Sequence, residues 1–486
     1  MRIIALVIIL ICYICSLQQL CAQKLINIIE SNLLEQSIIN DTTYQKFSGN
    51  VIIEYQNFKI YSDTVLINDD REIVRAWGNT SIFNDTLHCQ SDSVAIIQKL
   101  DQMVFFNNSK LKTKQLKIIS DEIKYNFETK NISYNKGGSV KKENYVILSD
   151  VFSYNMEKQI SCFEKNVKIS GDDLQINGEN IMFTDDTIKF NGITKINKNQ
   201  SIIKCINGYL KESEKLELFD FVEVKSNNQI IKAKYLKRNE ITNHNYFKKN
   251  IEIQIDSNTY IFAESLDQNK NKSNITGNCK IILHNTKDST IISGEQIDID
   301  DNKDIVEMKN NISISGSNID GKCEKIIFTD NYTKIQMIKN PVLWLDQSQL
   351  SGDEILLQTV DNNLDSLIIP KNPFIIYPND SIPYYNQIKG KNLNGKFGKS
   401  HISYIDVKGN GELKSFTLDD QSNKININNT KSSKIKINFK QNDINRVLCT
   451  GNIESDNKDF EQNDPLLKLE KTIFLKGFIL KKKDKK

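Results

Sequence analysis

A hydroxyl beside a carboxylate recurs through the first third of the chain. It stands as Ser62-Asp63, Ser91-Asp92, Ser120-Asp121 and Ser149-Asp150, with Gly178-Glu179 at the next equivalent place. Two chemistries use such groups. A calcium loop gathers several carboxylates within a few residues, and a glycosidase sets two convergent carboxylates in unlike surroundings. Here each acid comes singly, one per repeat, and no position breaks the series to mark a special pair. The spacing therefore assigns them corner-forming, solvent-facing roles. His88, His244, His284 and His401 are too scattered for a zinc site and are expected at the surface. No Gly-rich phosphate loop or nucleophile elbow occurs in the sequence. The reading is non-enzymatic, with no catalytic, cofactor-binding or metal-binding residues.

The acids keep step with a second series, and the two together define the elements. Gly49-Asn50-Val51 is followed by Gly78-Asn79-Thr80, then by Asn108, Gly137 and Asn166, each 29 residues on. Apolar columns share that period: Ile53, Ile82, Leu111, Val140, Ile169, then Phe58, Leu87, Leu116, Tyr145, Leu174. Ile60, Cys89, Ile118, Ile147, Ile176 form the next, and Val65, Val94, Ile123, Phe152, Ile181 another. Within a unit these residues alternate with polar ones, the period of half-buried strands. Polar clusters such as Gln56-Asn57 and Asn68-Asp69-Asp70 mark the reversals. Each unit is thus two antiparallel strands. The Gly-Asn and Ser-Asp anchors fall mid-strand, where a bend lets one strand serve two sheets.

The pattern continues less strictly through Asn250, Asn278, Asn311, Asn340, Asn372, Asn410 and Asn452. Between Asn166 and Asn250 lies room for three units without their Asn. The expected fold class is all-β, an elongated stack of about fourteen strand-turn-strand repeats of about 29 residues. Strands are expected from about Gln36 to Asn457, with no helices beyond the leader and short connectors. The first edge is placed near Tyr44 to Tyr55, and a late strand at Thr472 to Leu480.

Composition fits this picture. Of the 486 residues 39% are hydrophobic, mostly Ile, Val, Leu, Phe and Tyr, types that favour strands. The 64 basic and 61 acidic side chains are interspersed, so no basic field exists for a phosphate backbone and nucleic acid is excluded. Arg2, the apolar run Ile3 to Ile11 and Cys21-Ala22-Gln23 read as a signal peptide over residues 1–23. The alternatives are a lipid anchor on Cys21, although Leu20 before it is larger than that processing usually takes, and a retained membrane anchor, since the apolar run has few polar interruptions before Gln18. Six cysteines follow the leader, far apart and without a CxxC pair, and Cys89 and Cys205 stand in the core column of Ile60.

Taken in order, Gly49-Asn50-Val51, Ser62-Asp63 and Ala76-Trp77-Gly78-Asn79 resemble the OstA-type family, the organic-solvent-tolerance, lipopolysaccharide-transport repeat. The similarity runs from about Phe47 to Ile453, best over the first five units. It implies a β-jellyroll (β-taco) fold in the periplasm, or peripheral to the outer membrane, of a Gram-negative envelope, in a member without an outer-membrane barrel. It further implies lipopolysaccharide or a related glycolipid as ligand. Same-fold transport proteins of the inner and outer membranes are the implied partners, joined by edge-to-edge strand pairing. On this reading residues 24–46 are a lead-in, 47–340 regular repeats, 341–460 looser repeats and 461–486 a C-terminal strand and Lys-rich tail. The groove candidates are Ile53, Ile82, Leu111, Val140, Ile169, Phe58, Leu87, Leu116, Ile60, Ile118, Ile147, Val65, Val94 and Ile123. The competing reading is a structural or adhesive surface protein with the same columns packed as a plain core.

Overall fold

The computed structural model describes residues 26–483 apart from 69–71, 199, 213, 227–228, 285–288, 318, 331, 346, 361–362, 380, 399–401, 420–423 and 441–442. The leader, His401 and residues 484–486 lie outside the described residues. The chain divides into two units, Met1–Ser213 and Glu214–Lys486.

In the first unit the strands follow one another as an antiparallel meander. They run β1 (Ile26–Glu30), β2 (Leu33–Ile39), β3 (Thr42–Tyr55), β4 (Phe58–Asn68), β5 (Ile73–Phe83), β6 (Leu87–Ile97), β7 (Gln102–Thr113) and β8 (Leu116–Asn126). Each long strand is interrupted once by a bulge. β3 and β4 pair from Tyr44↔Asn68 to Ser48↔Thr64, shift, and pair again from Val51↔Ser62 to Tyr55↔Phe58. β4 with β5, β5 with β6, β6 with β7 and β7 with β8 repeat the same break. An extra residue kinks a strand and strengthens its local twist, and aligned kinks fold one ribbon into two leaves. The first leaf holds the halves around Phe47 and Val65, the second those around Ile53 and Ile60. Shorter strands continue the pattern in places. Asn131–Tyr134 and Gly138–Lys142 both pair with β8, one in each leaf.

Alternation decides the faces. In β4, Phe58, Ile60, Ser62, Val65 and Ile67 are buried, while Lys59 and Asp63 are exposed. The parity resets at the bulge, so both leaves turn their apolar rows inward.

The second unit begins with the same meander, from Lys215–Ser226 to Ile319–Thr329. Between Asn166 and Asn250, across the end of the first unit and the start of the second, two bends lack the Asn and form all the same. Gly192 at φ 99° and Asp220 at φ 72° take the left-handed place, with register breaks beside them. From Lys334 the strands divide. Lys334–Ile338 pairs with Glu354–Val360 in one leaf, and Val342–Leu345 with Ser348–Ser351 in the other. Ile402–Leu418 and Lys424–Lys440 then run through both leaves again.

Two sequence expectations need correction. The first edge is not Tyr44 to Tyr55: β1 and β2 lie outside it, each pairing with one half of β3. The late strand at Thr472 to Leu480 does not form. Glu470–Ile473 is a single helical turn, and the residues after it join no ladder. The outermost strand of that leaf, Glu454–Glu461, is almost wholly exposed and carries Glu454, Asp456, Asp459 and Glu461, a charge row that discourages further pairing. The apolar segment turns instead across the outer face of the same leaf.

Candidate lipid-binding interior

The seam between the leaves is built by the two recurring anchors. Asn50, Asn79, Asn108, Asn166, Asn250, Asn278, Asn311, Asn340, Asn372, Asn410 and Asn452 all have φ between 46° and 57°. Asparagine tolerates this left-handed backbone better than other residues with a side chain. At several of these bends its amide reaches the acid of a neighbouring strand. Asn79 donates to Asp63 at 3.0 Å, Asn108 to Asp92 at 3.0 Å and Asn166 to Asp150 at 2.7 Å. In the second unit Asn311 donates to Glu295 and Asn372 to Asp353. Glycine precedes Asn79 for two reasons: φ there is 84°, and a Cβ would stand 2.5 Å from the Asp63 carboxylate.

The serines take the inner side of the seam, where the bulge frees carbonyl groups that must find partners. Ser62 donates to the Trp77 carbonyl and Ser120 to the Gly137 carbonyl, both at 2.7 Å. Ser62, Ser91, Ser120 and Ser149 are buried, while Asp63, Asp92 and Asp150 are exposed. The corner role expected of these pairs holds, but only the acid faces solvent. Tyr134 closes the seam further along, its hydroxyl 2.9 Å from Ser149, with burial pushing its pKa up to about 12.

All fourteen groove candidates lie inside. Ile53, Ile82, Leu111, Val140, Ile169, Phe58, Leu87, Leu116, Ile60, Ile118, Ile147, Val65, Val94 and Ile123 are each at most 2% exposed. Burying one such side chain contributes about 1.5–3 kcal/mol. Columns run across neighbouring strands of a leaf, as in Ile53↔Ile60↔Ile82↔Cys89↔Leu111↔Ile118↔Val140↔Ile147↔Ile169.

Opposite the seam, the strand registers of the first unit stay within each leaf, and side chains meet between the leaves. Tyr55 packs edge-on against Phe127 at 5.2 Å, and Phe58 against Tyr125 at 5.5 Å. Further along, Tyr154 donates to Gln115 at 3.1 Å and Gln115 to Gln159 at 2.7 Å. Sequence reading missed these bridges, because the two halves of each contact belong to different strands and different leaves. It missed the Asn–Asp clamp as well, although both series were in view at their constant offset.

Other reactive groups are quiet. Cys89, Cys205, Cys279 and Cys323 are buried free thiols. Burial pushes Cys205 up to about 12 and Cys279 to about 11. His88, His244 and His284 pair with Ser81, Asp267 and Ser289 at exposed positions. Among the described residues no cluster of His, Cys, Asp and Glu could hold a metal ion, and no helix is long and apolar enough to cross a membrane.

Two family profiles match parts of the chain. The profile of the family described as OstA-like protein matches residues 23–179. That of the LptA/(LptD N-terminal domain) LPS transport protein family matches residues 254–363. No curated protein matches the chain. Among solved structures, LptH of Pseudomonas aeruginosa, the LptA homologous periplasmic component of its lipopolysaccharide transport device, is 12% identical. That alignment covers 22% of this chain and 80% of LptH, with a TM-score of 0.20. The two family matches fall where the Asn–acid clamp recurs, at Asn79, Asn108 and Asn166 and again at Asn311, so over residues 23–179 the chain is similar to OstA-like proteins and over residues 254–363 to LptA/(LptD N-terminal domain) LPS transport proteins.

Proposed function

We propose that the protein binds the acyl chains of lipopolysaccharide or a related glycolipid between its leaves and carries the lipid across the periplasm without acting on it chemically. The observation that supports this most is the side opposite the seam. In the first unit it is bridged by rings and amides, Tyr55 to Phe127, Phe58 to Tyr125 and Tyr154 to Gln115. Turning these side chains aside opens the apolar columns without breaking a strand ladder. The strands, which run through both leaves, meanwhile keep them joined at the seam, where the Asn–Asp clamps tie each bend to its neighbour. A long apolar cleft with few polar groups suits a lipid tail and offers nothing for catalysis.

Partners of the same fold are proposed to dock at the first edge. All seven residues of β2 are exposed, with Leu34 at 53% and Ile38 at 73%. Among the described residues this strand pairs on one side only, with β3, and an edge of this kind favours β-augmentation.

A structural stack is the second reading, favoured by the complete burial of the columns. Photocrosslinking groups at Ile53, Ile82 and Leu111 discriminate. Carriage predicts lipid adducts at all three in growing cells. Folded protein that yields none would refute it.

A further inference from the structure

In the second unit, the outer face of one leaf carries side chains that do not belong to the repeat. Trp344, Gln349, Ile376, Gln387 and Lys414 form one cross-strand row through directly paired positions. A row facing away from the leaf's apolar interior would ordinarily be half-exposed and polar. Here Gln349 is 2% exposed, Gln387 0% and Lys414 5%, because the segment from Glu470 to Lys483 lies over them.

The manner of contact is specific. Gln387 donates to the Ile473 carbonyl at 2.8 Å and accepts from the Leu475 amide at 2.7 Å. Gln349 does the same to the Ile479 carbonyl and the Lys481 amide, both at 2.8 Å. Each glutamine therefore holds a carbonyl and the amide two residues later, the two groups that any extended peptide presents on one edge. A turn at Lys476-Gly477, with Gly477 at φ 97°, brings the second stretch to the second glutamine. Lys414 adds a bond to the Thr472 carbonyl at 2.9 Å.

Side-chain recognition is thinner. Phe478 meets Phe374 at 6.4 Å and Tyr385 at 6.0 Å. Lys481 donates to the Asn340 carbonyl, and Lys483 pairs with Asp320. Ile479 stays 65% exposed and Leu480 48%. The face is thus buried far more deeply than the segment that covers it. Before it, Leu467 is fixed in an apolar cluster with Ile382, Phe416, Ile425 and Ile427, so the segment has an anchored root and a lightly held end.

We propose that this face is a peptide-binding site that reads main chain through Gln349 and Gln387, and that Glu470–Lys483 is its detachable latch. The partner it fits is an extended peptide of another protein with a glycine turn, an aromatic residue for Phe374 and Tyr385, and lysines for the Asn340 carbonyl and Asp320. Paired amides on a sheet grip a backbone without regard to its side chains, so the aromatic and the lysines supply the selectivity.

The test uses the full chain with a protease site inserted after Leu469 and the labelled peptide Glu470–Lys486 as probe. The intact protein should leave the probe unbound, and the nicked protein should exchange it into the vacated face. Replacing Gln349→Ala and Gln387→Ala should weaken the exchanged complex at least tenfold. So should methylating the probe at the Leu475 and Lys481 amides, which leaves the protein untouched if the double variant fails to fold. Equal uptake by intact and nicked protein, no uptake by either, or undiminished binding of the methylated probe would each overturn the proposal.

Discussion

The side-chain amide of Asn79 donates to the carboxylate of Asp63 at 3.0 Å, joining the bend of one strand to the bend of its neighbour. The contact is exposed, so its worth lies in holding a left-handed residue rather than in burial. Asn79→Ala should cost about 1 kcal/mol, the usual net worth of a hydrogen bond. Asn79→Val should cost a further 1–2 kcal/mol or so, because a branched side chain at φ 46° meets its own backbone. Urea unfolding of the two variants checks the order. A valine no worse than alanine would show that the conformation there is not strained.

Neighbouring side chains on one strand give the core its contrast. Ile118 is fully buried and Ile119, pointing outward, is 50% exposed. Ile118→Ala should destabilise by roughly 2–5 kcal/mol, and Ile119→Ala by no more than about 0.5 kcal/mol. Similar losses at both positions would contradict the two-leaf arrangement.

Acid should act through Glu122. The Lys136 ammonium beside it, with help from Lys124, holds its carboxyl below the ordinary value of 4.5 despite partial burial. A folded value below the unfolded one stabilises fully above pH 4.5 and is lost as pH falls through the folded value. The stability gap between the wild-type chain and Glu122→Gln should therefore shrink from about pH 6 to about pH 3. A gap that stays constant would remove the ion pair from the account.

The exposed row of β2 offers a direct test of docking. Leu34→Lys with Ile38→Lys places charge on an edge whose seven residues are all exposed. The variant should fold as before and lose capture of same-fold partners. Retained capture would place the docking edge elsewhere.

How much of the molecule was legible in the sequence depends on how local each feature is. Ile53, Ile82 and Leu111 announced their burial because alternation and a constant offset are both local. The bends at Asn79 and Asn108 were legible for the same reason. The first edge was misplaced because β1 and β2 carry no anchor of their own and merely follow the two halves of β3. Thr472 to Leu480 has the composition of a strand, and nothing in that stretch tells that Gln349 and Gln387 will occupy its main chain. The bridge from Tyr154 to Gln115 was equally hidden, since it joins residues 39 apart across two leaves.

Because every long strand bends and pairs with its immediate successor, nearly all ladders are low in contact order. Tyr55 meets Phe58 at the turn, and Tyr44 meets Asn68 at the far end of the same hairpin. Loop closure for such pairs is cheap in entropy, and assembly can proceed as a zipper from whichever hairpin forms first. Chain emerging from its N-terminus can add one strand at a time to a finished template. The grip on Ile479 is the exception, since its partner Gln349 lies 130 residues back. That closure waits until the intervening strands are in place, which makes the latch a late step in maturation and its closure a report that the unit beneath it is complete.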